Sequence, residues 1–488
     1  MSAAPAPRRV TLGSGSTVAV VGGGIAGLSA AWALLDAAPG MRVVVYEADG
    51  RLGGKLRSQD IGGRAVDVGP DAFVARRPEA LELCQALGLG DELVAPASRA
   101  AYVWARGRLR RLPAGLALGV PTRLGPLARS GILSPAGVVR AALDLVGVGA
   151  ASGAAGADRA VAAITRPRLG HQVTARLVDP LVGGIHAGDT RRMSAAAVYP
   201  PLLDAAVPGS VMRHLRRAAP SPPGPDTPVF LRVRGGMTRL VDALGAALSG
   251  RGAVLRTAAE VDRLDLTPDA GHHGHDGTRW VVHAGGEAEA AEAVVVATPA
   301  TAAARLLGPV DDALGAELAA VPQATVTIVT MRVPTAGVGR PLDGTGFLVP
   351  AESGMLVTAC TWLSAKWPEM EVPGEVLLRA SVGRFGDDRH LSMTDDLIAE
   401  RVVAELGPLM ELRATPAETV VTRWPDAFPQ YEVGHLARVA EIERRVAALP
   451  NLAVAGAALR GVGIPACIDS GRRAASALVG GGVVVGRT

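Results

Sequence analysis

The sequence predicts an α/β protein with α+β lobes: a Rossmann-like nucleotide-binding domain that is discontinuous along the chain, a mixed-sheet substrate domain and a mostly helical lobe. Three observations predict it. Residues 17–47 read as strand, glycine turn, helix, strand; the stretch from about Tyr102 to Ala219 carries Leu/Ala/Val periodicity broken by Gly and Pro; and residues 452–479 read again as strand, glycine turn and helix.

A chain of 488 residues exceeds one simple core, so about two to three domains or lobes are expected. With 49% hydrophobic, 20% charged and 3% aromatic residues it falls among globular proteins rather than disordered ones. The net charge is +4, Lys55 and Lys366 are the only lysines, and no dense basic run appears; nucleic acid is not an expected partner. Cys84, Cys360 and Cys467 lie far apart without a C-x-x-C pair, so neither a disulfide framework nor a zinc site is suggested and a reducing compartment fits. Arg8 and Arg9 precede a Gly/Ser stretch rather than an apolar run with a cleavage site, and no signal peptide is read, which gives a cytoplasmic expectation. The longest apolar candidate, Gly137 to Gly156, carries Arg140 and Asp144. It reads as a buried helix of a lobe in preference to a peripheral membrane contact.

In chain order, residues 1–15 are Ala/Pro/Gly/Ser-rich and read as a flexible tail. The first part of the nucleotide domain, 16–101, opens with strand Thr17–Val21, turn Gly22–Gly27, helix Leu28–Leu35 and strand Arg42–Glu47. The helical lobe is placed at 102–225 and ends in a Pro-rich loop around Pro222 and Pro223. Residues 226–305 return to the nucleotide domain through helix Thr238–Leu248, a strand near Ala253–Leu255, a hairpin of Val261–Leu266 with Trp280–His283, and buried strand Ala293–Ala297. Strand-like runs Thr325–Val333, Gly346–Val349 and Val376–Val382 give a mostly antiparallel sheet over 306–420. The last part of the nucleotide domain, 421–488, holds strand Leu452–Ala455 and a helix through Ala474–Val479. His272, His273 and His275 sit in a Gly/Asp-rich hairpin tip without other ligands and read as a solvated loop, so no metal is expected.

Gly22-Gly23-Gly24-Ile25-Ala26-Gly27 fits G-x-G-x-x-G directly after a strand, and Glu47 lies 20 residues beyond the last glycine, followed by Ala48. The glycines permit a tight turn and close backbone approach to a pyrophosphate at a helix N-terminus, while the carboxylate accepts from a ribose diol. This predicts a dinucleotide. Arg51-Leu52-Gly53-Gly54-Lys55-Leu56-Arg57-Ser58 follows at once and resembles the second fingerprint of the amine-oxidase-like flavoproteins, which makes FAD the expected cofactor. Asp67-Val68-Gly69-Pro70, with Asp71 and Ala72, resembles the loop that passes close to the flavin in that superfamily, and Val261 matches the position that holds the adenine by its backbone.

Leu452 through Gly471, with Ala457, Val462, Gly463, Ile464 and Pro465 at its centre, resembles the flavin-edge element of the oxygen-dependent porphyrinogen oxidases more than that of monoamine oxidases. A glycine turn entering a helix there can set N–H groups beside the electron-rich edge of a flavin. Arg168 through Asp189, Gly346 through Pro350 and Phe428 through His435 resemble further stretches of the same family, so the likeness covers nearly the whole chain beyond the first fifteen residues.

The resemblance implies oxidation of a porphyrinogen to a porphyrin at CH–CH groups in haem biosynthesis, in three two-electron flavin cycles with molecular oxygen as acceptor and hydrogen peroxide released. Flavin N5 takes the hydride, so no catalytic side chain is assigned. It further implies that Arg99 pairs with a substrate carboxylate, that Phe347 and Ser381 flank the macrocycle, that Trp424 lies on the cofactor, and that product is handed to a ferrochelatase. Arg76 and Arg77 could meet further carboxylates, whereas Asp71 stands where some relatives carry arginine. Coproporphyrinogen III is the favoured substrate and protoporphyrinogen IX the alternative. An amine oxidase, a carotenoid desaturase and a non-enzymatic FAD-binding protein are more distant readings.

Overall fold

The computed structural model describes residues 12–148, 157–204, 209–218, 224, 227–269 and 277–480. The histidine tract at 272–275, most of the Pro-rich loop and the part of the 137–156 stretch from residue 149 onward lie outside the described residues.

Thr17–Val21 is rich in valine and buried on both faces, the pattern of an interior parallel strand. It pairs with Arg42–Tyr46 on one side and Ala293–Val296 on the other; Val254–Arg256 and Leu452–Val454 complete a five-stranded, all-parallel sheet. Helices Ile25–Ala37 and Ile464–Val479 cover one face and are in close contact with each other, because a Cβ at Gly471 would lie 2.1 Å from the Ala26 carbonyl. The other face packs on the antiparallel three-stranded sheet Val261–Asp269, Gly277–Ala284 and Glu287–Ala291. Three separated stretches of chain thus build one layered unit.

A seven-stranded sheet forms the second unit, in the order Glu418–Pro429, Gln323–Pro334, Glu375–Val382, Val357–Trp362, Gly346–Leu348, Tyr102–Ala105, Arg108–Arg111. Two differences from the sequence reading appear here. Tyr102–Ala105 and Arg108–Arg111 extend this sheet, although the stretch from 102 reads as helical, because Val103 and Ala105 are buried alternately with the half-exposed Trp104. Glu418–Pro429 is also a strand of this sheet, paired along Gln323–Pro334, so a boundary between 420 and 421 would cut it. A third difference is local: Leu12, expected in a loose tail, is buried in the core of the nucleotide unit.

Helices between Leu124 and Ala218 pack around their own core of Leu127, Ile164, Leu177 and Leu215. The lobe contains a wide-turn helix of π type, Thr174–Gly183, with Pro180 inside it; a residue without an N–H suits a ladder already displaced from regular spacing. Asp144 is buried within the lobe and bound to Arg168 at 3.0 Å, to the Ser210 hydroxyl at 2.7 Å and to the N–H groups of Val211 and Met212. The charge that argues against a membrane span in the sequence is a structural centre of the lobe. Val139, Leu143 and Val146 of the same stretch are exposed. Among the described residues no helix is long and apolar enough to cross a membrane.

Candidate cofactor site

A cavity of about 670 Å³ opens at the carboxyl ends of the parallel strands and reaches the seven-stranded sheet. That is where crossover connections leave room for a ligand in an open α/β sheet. Val21, Tyr46, Ala297 and Gly456 line it, each at or just past the end of its strand.

The turn after the first strand is shaped by its glycines. Gly22 has φ of +106°, and a Cβ there would lie 2.9 Å from the Ala297 carbonyl; Gly27 packs against the carbonyl of Gly22. A Cβ at Gly24 would meet no heavy atom within 4 Å, and Gly24 lines the cavity beside Ile25 and Ala26. Helix Ile25–Ala37 has no side-chain cap at Gly24, and helix Ile464–Val479 has none at Gly463. Both helices therefore present uncapped N–H groups and the positive end of their dipole at this cavity. Glu47 accepts from the Gly23 N–H at 2.7 Å and from the Asp49 N–H at 2.9 Å, which fixes its carboxylate on the rim.

Lys55 also lines the cavity. Burial pulls its pKa down, and the Asp426 carboxylate opposes this only in part. The Cys467 thiol, in the same wall, is pushed up to about 11 by burial and stays neutral at ordinary pH. Opposite, Trp424 donates from Nε1 to the Val68 carbonyl at 2.8 Å, which holds the ring in the wall with Ala427 and Phe428. Two uncapped helix ends, a glycine surface open to the cavity, an enclosed ammonium and a carboxylate on the rim fit a long dinucleotide with a central diphosphate.

Of the expected cofactor residues, Gly22, Gly24, Ile25, Ala26, Glu47, Ala48, Gly54, Lys55, Pro70, Val261, Trp424, Ala457, Val462 and Ile464 line this cavity. Gly23, Gly27 and Gly69 lie behind it, where Gly23 holds Glu47 and a Cβ at Gly69 would lie 2.0 Å from the Lys55 carbonyl, while Gly463 is exposed between the lining residues Val462 and Ile464. Asp71 follows Pro70 without lining the cavity itself. It is buried and bound to Lys366 at 2.8 Å, Trp367 Nε1 at 3.0 Å and Arg379 at 3.0 Å. Burial would raise its pKa, but the two cations outweigh it and hold the carboxyl well below the usual range. Arg379 also donates to the carbonyls of Asp67 and Gly69, so Asp71 fastens the 67–71 loop to the large sheet. Ala72 packs in the apolar cluster beside this network.

The expected substrate residues divide. Arg99 is exposed and donates to the carbonyls of Gly224 and Thr227, away from the cavity. Phe347 lies on the face of the sheet turned from the cofactor, in the core with Trp362 at 6.3 Å between ring centroids. The strand register explains it: Leu348, Ala359, Ser381, Ile328 and Thr422 are directly paired and share one face, and Phe347 falls on the other. Ser381 thus stands on the side of Arg379 and the 67–71 loop, and Leu348, not Phe347, joins it. Gln323, Ala297, Thr298, Phe428 and Cys467 line the cofactor cavity without having been singled out from the sequence. The signal for Ala297 and Thr298 was present, since both follow a buried parallel strand at its carboxyl end.

Known proteins agree with this geometry. The chain is 36% identical over 94% of its length, and 90% of the relative, to a coproporphyrinogen III oxidase of Propionibacterium freudenreichii subsp. freudenreichii. It is 29% identical to the coproporphyrinogen III oxidase of Staphylococcus aureus, covering 95% of this chain and 99% of that one. A solved structure from Exiguobacterium sp. 255-15, provisionally described as a protoporphyrinogen oxidase, superposes with a TM-score of 0.83 at 29% identity over 96% of this chain and 99% of that one. The sequence profile of flavin-containing amine oxidoreductases matches residues 25–479. The cofactor for which the cavity is shaped is FAD, and the chain belongs to the flavin-containing amine oxidoreductase family.

Proposed function

We propose that this FAD-dependent oxidase converts a porphyrinogen to the porphyrin, with coproporphyrinogen III as its substrate, molecular oxygen as the final acceptor and hydrogen peroxide released over three two-electron cycles. The observation that carries the reading is full-length similarity to the two coproporphyrinogen III oxidases, spread over all three lobes rather than confined to the nucleotide unit. Bound FAD would supply the hydride acceptor. Gly24, Ile25 and Ala26 would receive its diphosphate, Glu47 its ribose, and Val261 would wall its adenine end. Ala457, Val462 and Ile464, with Trp424 across the cavity, would hold its redox ring, and Lys55 would add positive charge.

The remaining work is orientation. The sheet face bearing Ser381 and Leu348 and the helical lobe against it would position a macrocycle. Nothing in this chemistry needs a strong protein base, and His186, the buried imidazole near this region, is held neutral because burial lowers its pKa to about 4. Steady-state oxidation in air with the two porphyrinogens tests the assignment. Higher kcat/KM with coproporphyrinogen III and peroxide formed in step with product is the expected result; preference for protoporphyrinogen IX would replace the substrate but keep the reaction.

A further inference from the structure

A second cavity of about 510 Å³ opens between the helical lobe and the large sheet. One wall is helix Thr174–Gly183 with the 188–191 turn; the other is the 351–355 turn and the bend that follows strand Glu375–Val382. Most charges on these walls are matched: Arg191 with Asp189 at 2.8 Å, Arg389 with Asp387 at 2.7 Å, and Glu352 with Arg176 at 2.7 Å. Arg384 is different. Its guanidinium makes one hydrogen bond, 3.5 Å to the Val349 carbonyl, and among the described residues no carboxylate oxygen comes within ion-pair distance. Burial lowers its pKa, with Asp179 and Asp387 opposing from farther off. Asp179 accepts from the Thr190 hydroxyl at 2.8 Å, and burial raises its own pKa. Arg166 lines the cavity from the lobe side.

A guanidinium offers five N–H donors in a planar fork matched to a carboxylate. Half-buried in a polar cavity with one long bond to protein, it keeps donors that a ligand carboxylate can take up in exchange for solvent. The cavity is also placed next to the chemistry. Phe385 lines it and packs against the buried cluster Ala187, Ala324, Val326 and Ala427, and Trp424 and Phe428, which pack against the same cluster, line the cofactor cavity. The two cavities therefore share one apolar cluster in their walls.

We propose that this second cavity receives a carboxylate arm of the tetrapyrrole substrate, with Arg384 as the receiving fork and Arg166 as a second cation; the inference rests on the porphyrinogen reading above. An arm anchored here would fix the rotation of the ring about its own axis, and a substrate with four carboxylates has more arms to offer than one with two.

The test compares FAD-loaded wild type, Arg384→Met and Arg384→Lys. Binding of coproporphyrin III and of its tetramethyl ester is measured by fluorescence, and turnover with coproporphyrinogen III. Arg384→Met is expected to weaken binding of the free acid, and to raise KM, by about tenfold or more. Its kcat should change little, its FAD content and ester binding should match wild type, and Arg384→Lys should fall between. Unchanged affinity for the acid in Arg384→Met, with wild-type turnover intact, overturns the subsite and leaves the reaction standing. Equal loss of acid and ester binding overturns it as well, because that marks a structural effect. Should Arg384→Met fail to retain FAD, Arg166→Met decides by the same criterion, and unchanged acid affinity there counts against the subsite. A wild type that neither binds coproporphyrin III nor oxidises either porphyrinogen removes the reading and the inference together.

Discussion

At the scale of single residues, the cofactor cavity depends on atoms that are missing as much as on those present. Gly24 faces open space, so Gly24→Val would place two methyl groups where the diphosphate belongs. Purified Gly24→Val is expected to carry less than about a tenth of the wild-type flavin per chain while keeping wild-type far-UV circular dichroism, a loss of about 1.4 kcal/mol or more in binding. His186 gives a pH signature. Its folded pKa is lowered by burial to about 4 from 6.5, so between those values the unfolded chain binds more protons and stability falls as pH is lowered through that window. Urea midpoints measured at pH 7 and pH 5 should show a drop that His186→Gln reduces; an equal drop in the variant would place the effect elsewhere. The sequence carried the glycine and Glu47 assignments because each has a backbone reason. It did not show what holds the Asp71 side chain, because the partners Lys366 and Arg379 lie about three hundred positions away and no local pattern reports such a partner.

At the scale of elements, the last glycine turn is held from outside. The Tyr431 hydroxyl donates to the Ala457 carbonyl and accepts from the Gly461 N–H, tying the strand that ends at Pro429 to the turn that lines the cavity. Burial raises the pKa of this phenol, which keeps it a donor. Tyr431→Phe leaves the packing and removes both bonds, and about 0.5–1.5 kcal/mol per bond should appear as FAD affinity weakened roughly fivefold to 150-fold in a titration of apoprotein. Unaltered affinity would show that the turn is rigid without Tyr431. Parallel strands were legible at this scale because strands buried on both faces read as continuous valine-rich runs. The register of the large sheet was not. Its face assignment turns on one-residue pairing, and this moved Phe347 to the far side and brought Leu348 to the near one.

At the scale of the whole molecule, three bodies meet around one cofactor, and buried charge fastens them. Arg379 and Lys366 tie the sheet to the 67–71 loop through Asp71, and Asp144 with Arg168 organises the helical lobe. Removing Asp144 strands a buried guanidinium whose two terminal nitrogens already lack partners. Asp144→Ala is therefore expected to destabilise the lobe by about 3–5 kcal/mol, read as early proteolysis between 124 and 218 while flavin stays bound; a wild-type proteolytic pattern would contradict it. The three-part nucleotide unit could be read from two strand–glycine–helix runs, but the assembly of the sheet from 102–111 and 418–429 could not, because edge strands far apart in the chain carry no shared local pattern. This assembly is expected to bring a porphyrinogen to bound FAD, and anaerobic mixing of the holoenzyme with coproporphyrinogen III tests that directly. Rapid loss of oxidised flavin absorbance is expected, with slower or weaker loss for protoporphyrinogen IX and full recovery on admitting air; flavin that stays oxidised with both porphyrinogens would rule out porphyrinogen oxidation.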